Sequence, residues 1–285
     1  MGSVESARSI ESCIDALRVS CREYDAELIV VDAGGDSVVA TAVSRHPEIR
    51  FIALPADALT PRLWSEGIAA SSGSIVALTT GHCFVTPRWA ASLISALESG
   101  ASGAGGPLRL ESHASTLDAA IFFLRYSAFI EGKPNGNVDD IAGDNAAYNR
   151  RDIPPESWSR NVGFWERDVN RAIRTSGKSL AWTDDAIAEF GRSFGFGSIC
   201  GHRFSHGRLF GRSRVTKEGE SRLKIVLGSV VVPFLLAARA GRRVLGNDRY
   251  RMRFVAALPL MIIIAACWAA GEAAGAMDAS VADRR

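Results

Sequence analysis

At 285 residues and 47% hydrophobic composition the chain can bury a sizeable core, and one domain plus an appendage is the natural expectation. Its net charge of +2 hides a division: residues 1–199 carry 18 Lys/Arg against 25 Asp/Glu, a balance of −7, whereas residues 200–253 carry 13 against 3, a balance of +10. Five scattered cysteines (Cys13, Cys21, Cys83, Cys200, Cys267) with no Cys-x-x-Cys pair argue against a disulfide framework or zinc knuckle and suit a reducing compartment.

Met1 to Ser9 holds no apolar run, so neither a secretory signal nor an opening strand is expected there. Ile10, Cys13, Ile14 and Leu17 recur at helical spacing. Ala26 to Val31 then reads as a continuous parallel-sheet strand running into Asp32-Ala33-Gly34-Gly35-Asp36. A helix around 37–44, a strand over 49–54, a helix around 62–71 and a strand over 74–78 follow. Pro87-Arg88-Trp89 opens another helix. Such alternation with short loops predicts a doubly wound α/β sheet whose chain starts at the loop after the usual first strand.

Three polar stretches stand out on this frame. Thr79-Thr80-Gly81-His82 follows a strand at its carboxyl end, where open α/β sheets hold ligands. Gly143-Asp144-Asn145 offers a fixed acceptor and a donor–acceptor pair suited to sugar hydroxyls. Gly163-Phe164-Trp165-Glu166-Arg167-Asp168 precedes a helix running to Gly177, with two aromatics able to exclude water beside Glu166. An acid there also satisfies a helix dipole. Arg62, after Pro61, serves equally as a phosphate partner or a solvated helix-start residue.

Near the end, Ile225 to Ala240 is apolar but short of the ~20 residues of a straight span, and carries Pro233. Phe254 to Gly271 is uncharged and long enough to span. Basic residues flank the first segment on both sides: Arg212, Arg214, Arg222 and Lys224 before it, and Arg239, Arg242, Arg243, Arg249, Arg251 and Arg253 after it. By the positive-inside tendency it is expected to lie in the cytoplasmic interface or re-enter, while the second spans. This organisation gives a body over 1–199, a basic connector over 200–224 and membrane-associated helices over 225–277.

From Ser9 to Leu180 the order of these motifs resembles family 2 glycosyltransferases, with the GT-A fold (a Rossmann-like mixed sheet). The resemblance implies an inverting, hexosyl-type transferase using a UDP, GDP or TDP sugar. The acceptor would be a lipid-linked or growing polysaccharide at the cytoplasmic membrane face; no nucleic-acid partner is expected. It makes Glu166 the general base with Asp168 second, Asp32 the nucleobase contact, and Arg62 and Thr80 nucleotide-side residues. Asp144 and Asn145 would read the sugar or acceptor. The basic segment Phe204 to Arg212 would offset diphosphate charge through His206, Arg208 and Arg212. The family's Asp-x-Asp metal turn corresponds to Thr80 and His82. Mn2+ or Mg2+ is therefore implied only with His82 as ligand, and metal-independent transfer stays open. The alternative is a catalytically inactive, membrane-anchored binding or assembly subunit.

Overall fold

The computed structural model describes residues 1–4, 6, 9–34, 37–159, 163–191, 194–216 and 218–278. In chain order the elements are β1 (Gly2–Val4), α1 (Ile10–Ser20), β2 (Ile29–Ala33), α2 (Ser37–Ser44), β3 (Arg50–Leu54), α3 (Thr60–Ala70) and β4 (Ile75–Thr79). They continue with β5 (Cys83–Val85), α4 (Trp89–Glu98), β6 (Gly103–Gly105), β7 (Leu108–Leu110), α5 (Thr116–Tyr126), β8 (Gly136–Val138) and β9 (Asn145–Asn149). The last are α6 (Glu166–Thr175), β10 (Leu180–Trp182), β11 (Ala188–Phe190), α7 (Phe196–Thr216), α8 (Arg222–Ser229), α9 (Val232–Val244) and α10 (Asp248–Asp278). The chain divides into two compact units, Met1–His113 with Phe129–Ser193, and Ala114–Ala128 with Phe194–Arg285. The second unit thus takes a segment, Ala114–Ala128, from within the 1–199 body read from the sequence.

The first unit is mixed α/β, as the GT-A resemblance implies. In place of one doubly wound sheet it has three: β1-β2-β3, all parallel; β4-β9-β6-β10-β8, mixed; and β5-β11-β7, mixed. All five residues of β2 are buried, the pattern of a strand covered on both faces. Val30 packs with Ile10 and Ile14 of α1. Val31, which points the other way, meets α3 at Gly67. The helices α1 and α3 therefore lie on opposite faces of β2. A second cluster joins Trp64 and Ile68 of α3 to Val76 and Leu78 of β4, Tyr148 of β9, and Val169 and Ile173 of α6. The helix α3 starts with Pro61 in its first turn, where a missing N–H costs nothing.

The expected absence of the first strand is corrected. Gly2, Ser3 and Val4 pair in parallel with Val31, Asp32 and Ala33. Gly2 also bridges Thr80 beyond the end of β4. The strand escaped notice because three residues, two of them Gly and Ser, hold no readable alternation; the backbone ladder makes it a strand.

In the second unit α5 opens with a capping box, Ser115 and Asp118 exchanging side-chain-to-backbone bonds. Its Phe122, Phe123 and Tyr126 form an aromatic cluster with Tyr250 and Phe254 of α10. Pro233 falls in the first turn of α9 rather than inside a helix, and the chain bends by 63° between α8 and α9. The segment Phe254–Gly271 lies within α10, which is long and apolar enough to cross a membrane.

Two glycine pairs, spaced four apart, let α7 and α10 touch backbone to backbone. A Cβ placed on Gly207 or Gly211 would fall 2.0 Å from the carbonyl oxygen of Trp268 or Glu272. One on Gly271 or Gly275 would fall 2.0 or 1.9 Å from that of Phe204 or Arg208. Any side chain there forces the helices apart. Gly207→Val is therefore expected to destabilise the chain by roughly 1–3 kcal/mol or more. Gly201→Ala, on the same helix with nothing within 4 Å, should be neutral or stabilising by up to ~1 kcal/mol. Thermal melts of the two variants beside the parent check the contrast.

Candidate active site

The predicted site residues of the first unit gather around the end of β4. Asp32 is fully buried on β2, and its Oδ1 accepts a 2.6 Å bond from the Ser3 hydroxyl. The next-door turn is held by β1 through its backbone. Gly81 N–H donates to the Gly2 carbonyl at 2.9 Å, and His82 Nε2 bonds the Val4 carbonyl at 2.7 Å. The Ser9 hydroxyl closes the other side, donating to the Gly81 carbonyl at 2.5 Å.

This geometry decides whether the turn suits a divalent cation. A carbonyl only accepts, so His82 Nε2 carries a proton and cannot ligate through that nitrogen. The ring is itself buried, 2% exposed. Thr80 is buried as well, with its hydroxyl donating to Cys83 Sγ at 3.5 Å. Neither supplies the anionic oxygens that Mg2+ or Mn2+ prefers. Among the described residues no group of three His, Cys, Asp or Glu side chains is placed to hold a metal ion. Among the described residues the donors at this turn do not fit a hard cation, and His82 serves through Nε2 as a latch on β1.

A second group of predicted residues centres on Gly143. A Cβ there would come within 2.8 Å of the Trp64 ring and 3.2 Å of Glu166 Cβ, so the missing side chain lets the Asp144 loop close over both. Trp64 is fixed in turn by its indole N–H, which donates to the Thr79 carbonyl at 3.1 Å, and by an edge-on contact with Phe164. The Phe164 N–H donates to the Pro61 carbonyl at 2.8 Å, which seats the start of α6 beside the start of α3. Glu166 is the first residue of α6 and half-buried, and Asp144 is buried. Asp168, one turn face away, is exposed and paired with Arg171 at 2.9 Å. Arg62, in the first turn of α3 beside Gly163, is exposed.

Beneath this, Tyr148 donates to Asn170 Oδ1 at 2.9 Å, and the Asn170 amide donates to the Ile141 carbonyl at 2.8 Å and to Asp140. Burial raises the Tyr148 phenol well above its usual range, and the carboxylates of Glu166 and Asp140 push the same way. The phenol stays protonated as a donor. Sequence reasoning missed Tyr148, Asn170 and Ser3 as supports, and Trp64 signalled its role only by sitting in the quoted Pro61-to-Trp64 stretch.

Asn145 is placed differently from its expected sugar contact. Its Oδ1 accepts from Trp89 Nε1 at 2.6 Å, and its Nδ2 donates to the carbonyls of Pro107 at 3.1 Å and Ala186 at 2.8 Å. Acceptor and donors are spent inside the fold, and the residue is fully buried. Gly35 and Asp36 of the nucleobase motif lie outside the described residues.

The remaining three predicted residues lie on α7, in the second unit. Arg208 bonds Asp278 through Nε at 2.7 Å, and Arg212 is exposed. Burial, then the cations Arg203 and Arg125, then His202, lower the His206 imidazole to about 3, so it is neutral near pH 7 and offers hydrogen bonding rather than charge.

Residues 4–153 match the family described as Glycosyl transferase family 2. No curated protein matches the chain. Similar solved structures include a mycobacterial protein at 18% identity, covering 74% of this chain and 72% of that one with a TM-score of 0.49. Another is the mannosyltransferase PcManGT from Pyrobaculum calidifontis in complex with GDP-Man and Mn2+, at 16% identity over 91% of this chain and 73% of that one, TM-score 0.48. A third is glucosyl-3-phosphoglycerate synthase from Mycobacterium tuberculosis with Mn2+, UDP and phosphoglyceric acid, at 16% identity over 70% and 71%, TM-score 0.45.

If Asn145 is a structural clamp, Asn145→Ala strands the Trp89 indole and two buried carbonyls. It should cost at least ~2 kcal/mol in chemical unfolding. A variant with unchanged stability would return Asn145 to the ligand side.

Proposed function

The chain belongs to glycosyl transferase family 2, and we propose that it transfers a sugar from a nucleotide-diphosphate donor, with inversion and without a divalent cation. The observation that carries this reading is the seat of Glu166. It is half-buried against Gly143 at the start of α6, whereas Asp168 faces solvent in an ion pair.

Inversion needs a carboxylate on the acceptor side of the anomeric carbon. Glu166 takes the proton of the acceptor hydroxyl as that oxygen bonds the anomeric carbon. The bond from that carbon to the diphosphate oxygen breaks on the opposite face, and its electron pair leaves with the nucleotide. Asp144 hydrogen-bonds the sugar hydroxyls, and Arg62 offsets the charge that grows on the diphosphate. Asp32 acts through Ser3, holding the end of β1 where the nucleotide binds, and is a positioning residue. The hexosyl nature of the donor and the UDP, GDP or TDP base follow from the family resemblance.

The location is part of the same reading. The helix α10 anchors the chain in the cytoplasmic membrane. Arg222, Lys224, Arg239, Arg242 and Arg243, around the bent α8–α9 pair, sit among anionic headgroups. A lipid-linked or polysaccharide acceptor suits that position.

The lost carboxylates of the Thr80–His82 turn favour one rival, a non-catalytic membrane-anchored subunit. The purified chain is to be assayed with UDP, GDP and TDP sugars, with Mn2+ and with a chelator. Turnover should be indifferent to the chelator. Glu166→Gln should lower kcat by about 10²–10⁴-fold, and Asp168→Asn should stay within a few-fold of the parent. Absence of turnover in the parent with all of these sugars would leave the subunit reading standing, and equal measurable turnover in the parent and Glu166→Gln would take the base role from Glu166.

A further inference from the structure

The helices α7 and α10 of the second unit each carry a cysteine, Cys200 and Cys267, that the transferase chemistry does not use. Their backbones meet along a row of close contacts. A Cβ on Gly271 would lie 3.0 Å from the Phe204 Cα, and one on Gly275 would lie 2.8 Å from the Arg208 Cα. Arg208 and Gly275 stand four residues beyond Phe204 and Gly271, so the two helices run parallel here and the contact recurs after about one turn. Four residues back on both helices, the same row brings Cys200 level with Cys267. The two thiols lie within hydrogen-bond reach of each other.

A disulfide needs Cα atoms roughly 4.4–6.8 Å apart and side chains that face each other. Contacts as short as those at Gly271 and Gly275 hold the helices that close, and the hydrogen bond between Cys200 and Cys267 shows their side chains facing. Both cysteines are half-buried, so a small reagent reaches them, whereas Cys13 and Cys83 are buried. Cys13 Sγ is also engaged, donating to the Gly81 and Cys83 carbonyls at 3.2 and 3.5 Å. Burial, and then the neighbouring Cys267, pushes the Cys200 thiol up to about 11. So basic a sulfur is a slow leaving group, which keeps a bond closed once it has formed.

We infer that Cys200 and Cys267 form a thiol–disulfide modification site, at which a low-molecular-weight disulfide such as oxidised glutathione ties α7 to α10. One sulfur of the pair attacks the S–S bond of the reagent, which breaks and releases one thiolate. The second sulfur attacks the mixed disulfide so formed, closing the Cys200–Cys267 bond and releasing the other thiolate. The two protons given up by the cysteines go to the two thiolates. The pair loses two electrons, and the reagent gains them to become two thiols. The bent α8–α9 pair lies between the two cysteines along the chain, so the closed bond holds it within one covalent loop. This inference stands on helix packing inside the second unit and not on the transferase reading.

The test uses the purified full chain, equilibrated with reduced and oxidised glutathione at graded ratios. Free thiols are then blocked with N-ethylmaleimide and the peptides are mapped by mass spectrometry. Oxidation should give a Cys200–Cys267 link within one chain, lighter by two hydrogens, at a rate independent of protein concentration. It should raise Tm by about 5 °C or more, and dithiothreitol should reverse the rise. Cys200→Ala and Cys267→Ala should each lose both the link and the rise. The peptide map of the parent decides the matter even where a variant fails to fold. Glutathione left on either cysteine without closure would overturn the inference. So would a link through Cys13, Cys21 or Cys83, or one that forms only between two chains. A Cys200–Cys267 link with unchanged Tm would equally overturn it, since the helices would then be held no more tightly than before.

Discussion

The constraint on which the first unit depends is the backbone pairing of three residues, Gly2 to Val4. They hold β2 on one side and the turn after β4 on the other, through Gly81 N–H to Gly2 and His82 Nε2 to Val4. A ligand turn in this position needs a rigid floor, because a displacement of about 1 Å at a reacting group costs orders of magnitude in rate. In a metal-dependent site part of that rigidity comes from the cation, which draws the turn and the diphosphate together. Here His82 and Thr80 turn inward and bind protein atoms instead. The order of the turn is supplied by hydrogen bonds.

The same turn links the two halves of the site. Toward the donor, Ser3 fixes Asp32, and the following residue, Val4, fixes His82. Toward the acceptor, the Thr79 carbonyl holds the Trp64 indole, Trp64 fills the space opened by Gly143, and Glu166 stands against that glycine. Each step is a buried contact with one arrangement, so a shift of β1 is felt at Glu166 through packed groups rather than through solvent. Glu166 is half-buried in this enclosure. Asp168, two residues on, has the same charge at the same helix end but spends it on Arg171 in water.

Much of this was legible in the sequence where chemistry follows local pattern. The strand of Ile29 to Ala33, the helix that Pro61 starts and the acid at the head of α6 announce themselves by apolar runs, a proline and a charge. The motif order also led to family membership. What the sequence hid depends on contacts between distant residues. Nothing local distinguishes Asn145, which clamps Trp89, Pro107 and Ala186 from the inside, from an amide that reads a sugar. Nor does a histidine in a ligand turn disclose that its ring bonds a carbonyl 78 residues earlier. The glycines of α7 and α10 are similar. Gly201 and Gly207 look alike along the chain, yet one faces open space and the other a carbonyl oxygen.

The short joint at β1 connects stability to the site. The strand β4 is the end strand of its mixed sheet and β1 the end strand of its own, and Gly2 bridges the two at Thr80. The three residues of β1 therefore bear alone the joining of two sheets, at the place where Asp32 and the Thr79–His82 turn are set. Pairing at β1 and order at the turn are one matter: whatever loosens Gly2 to Val4 loosens the seats of Asp32 and His82 together.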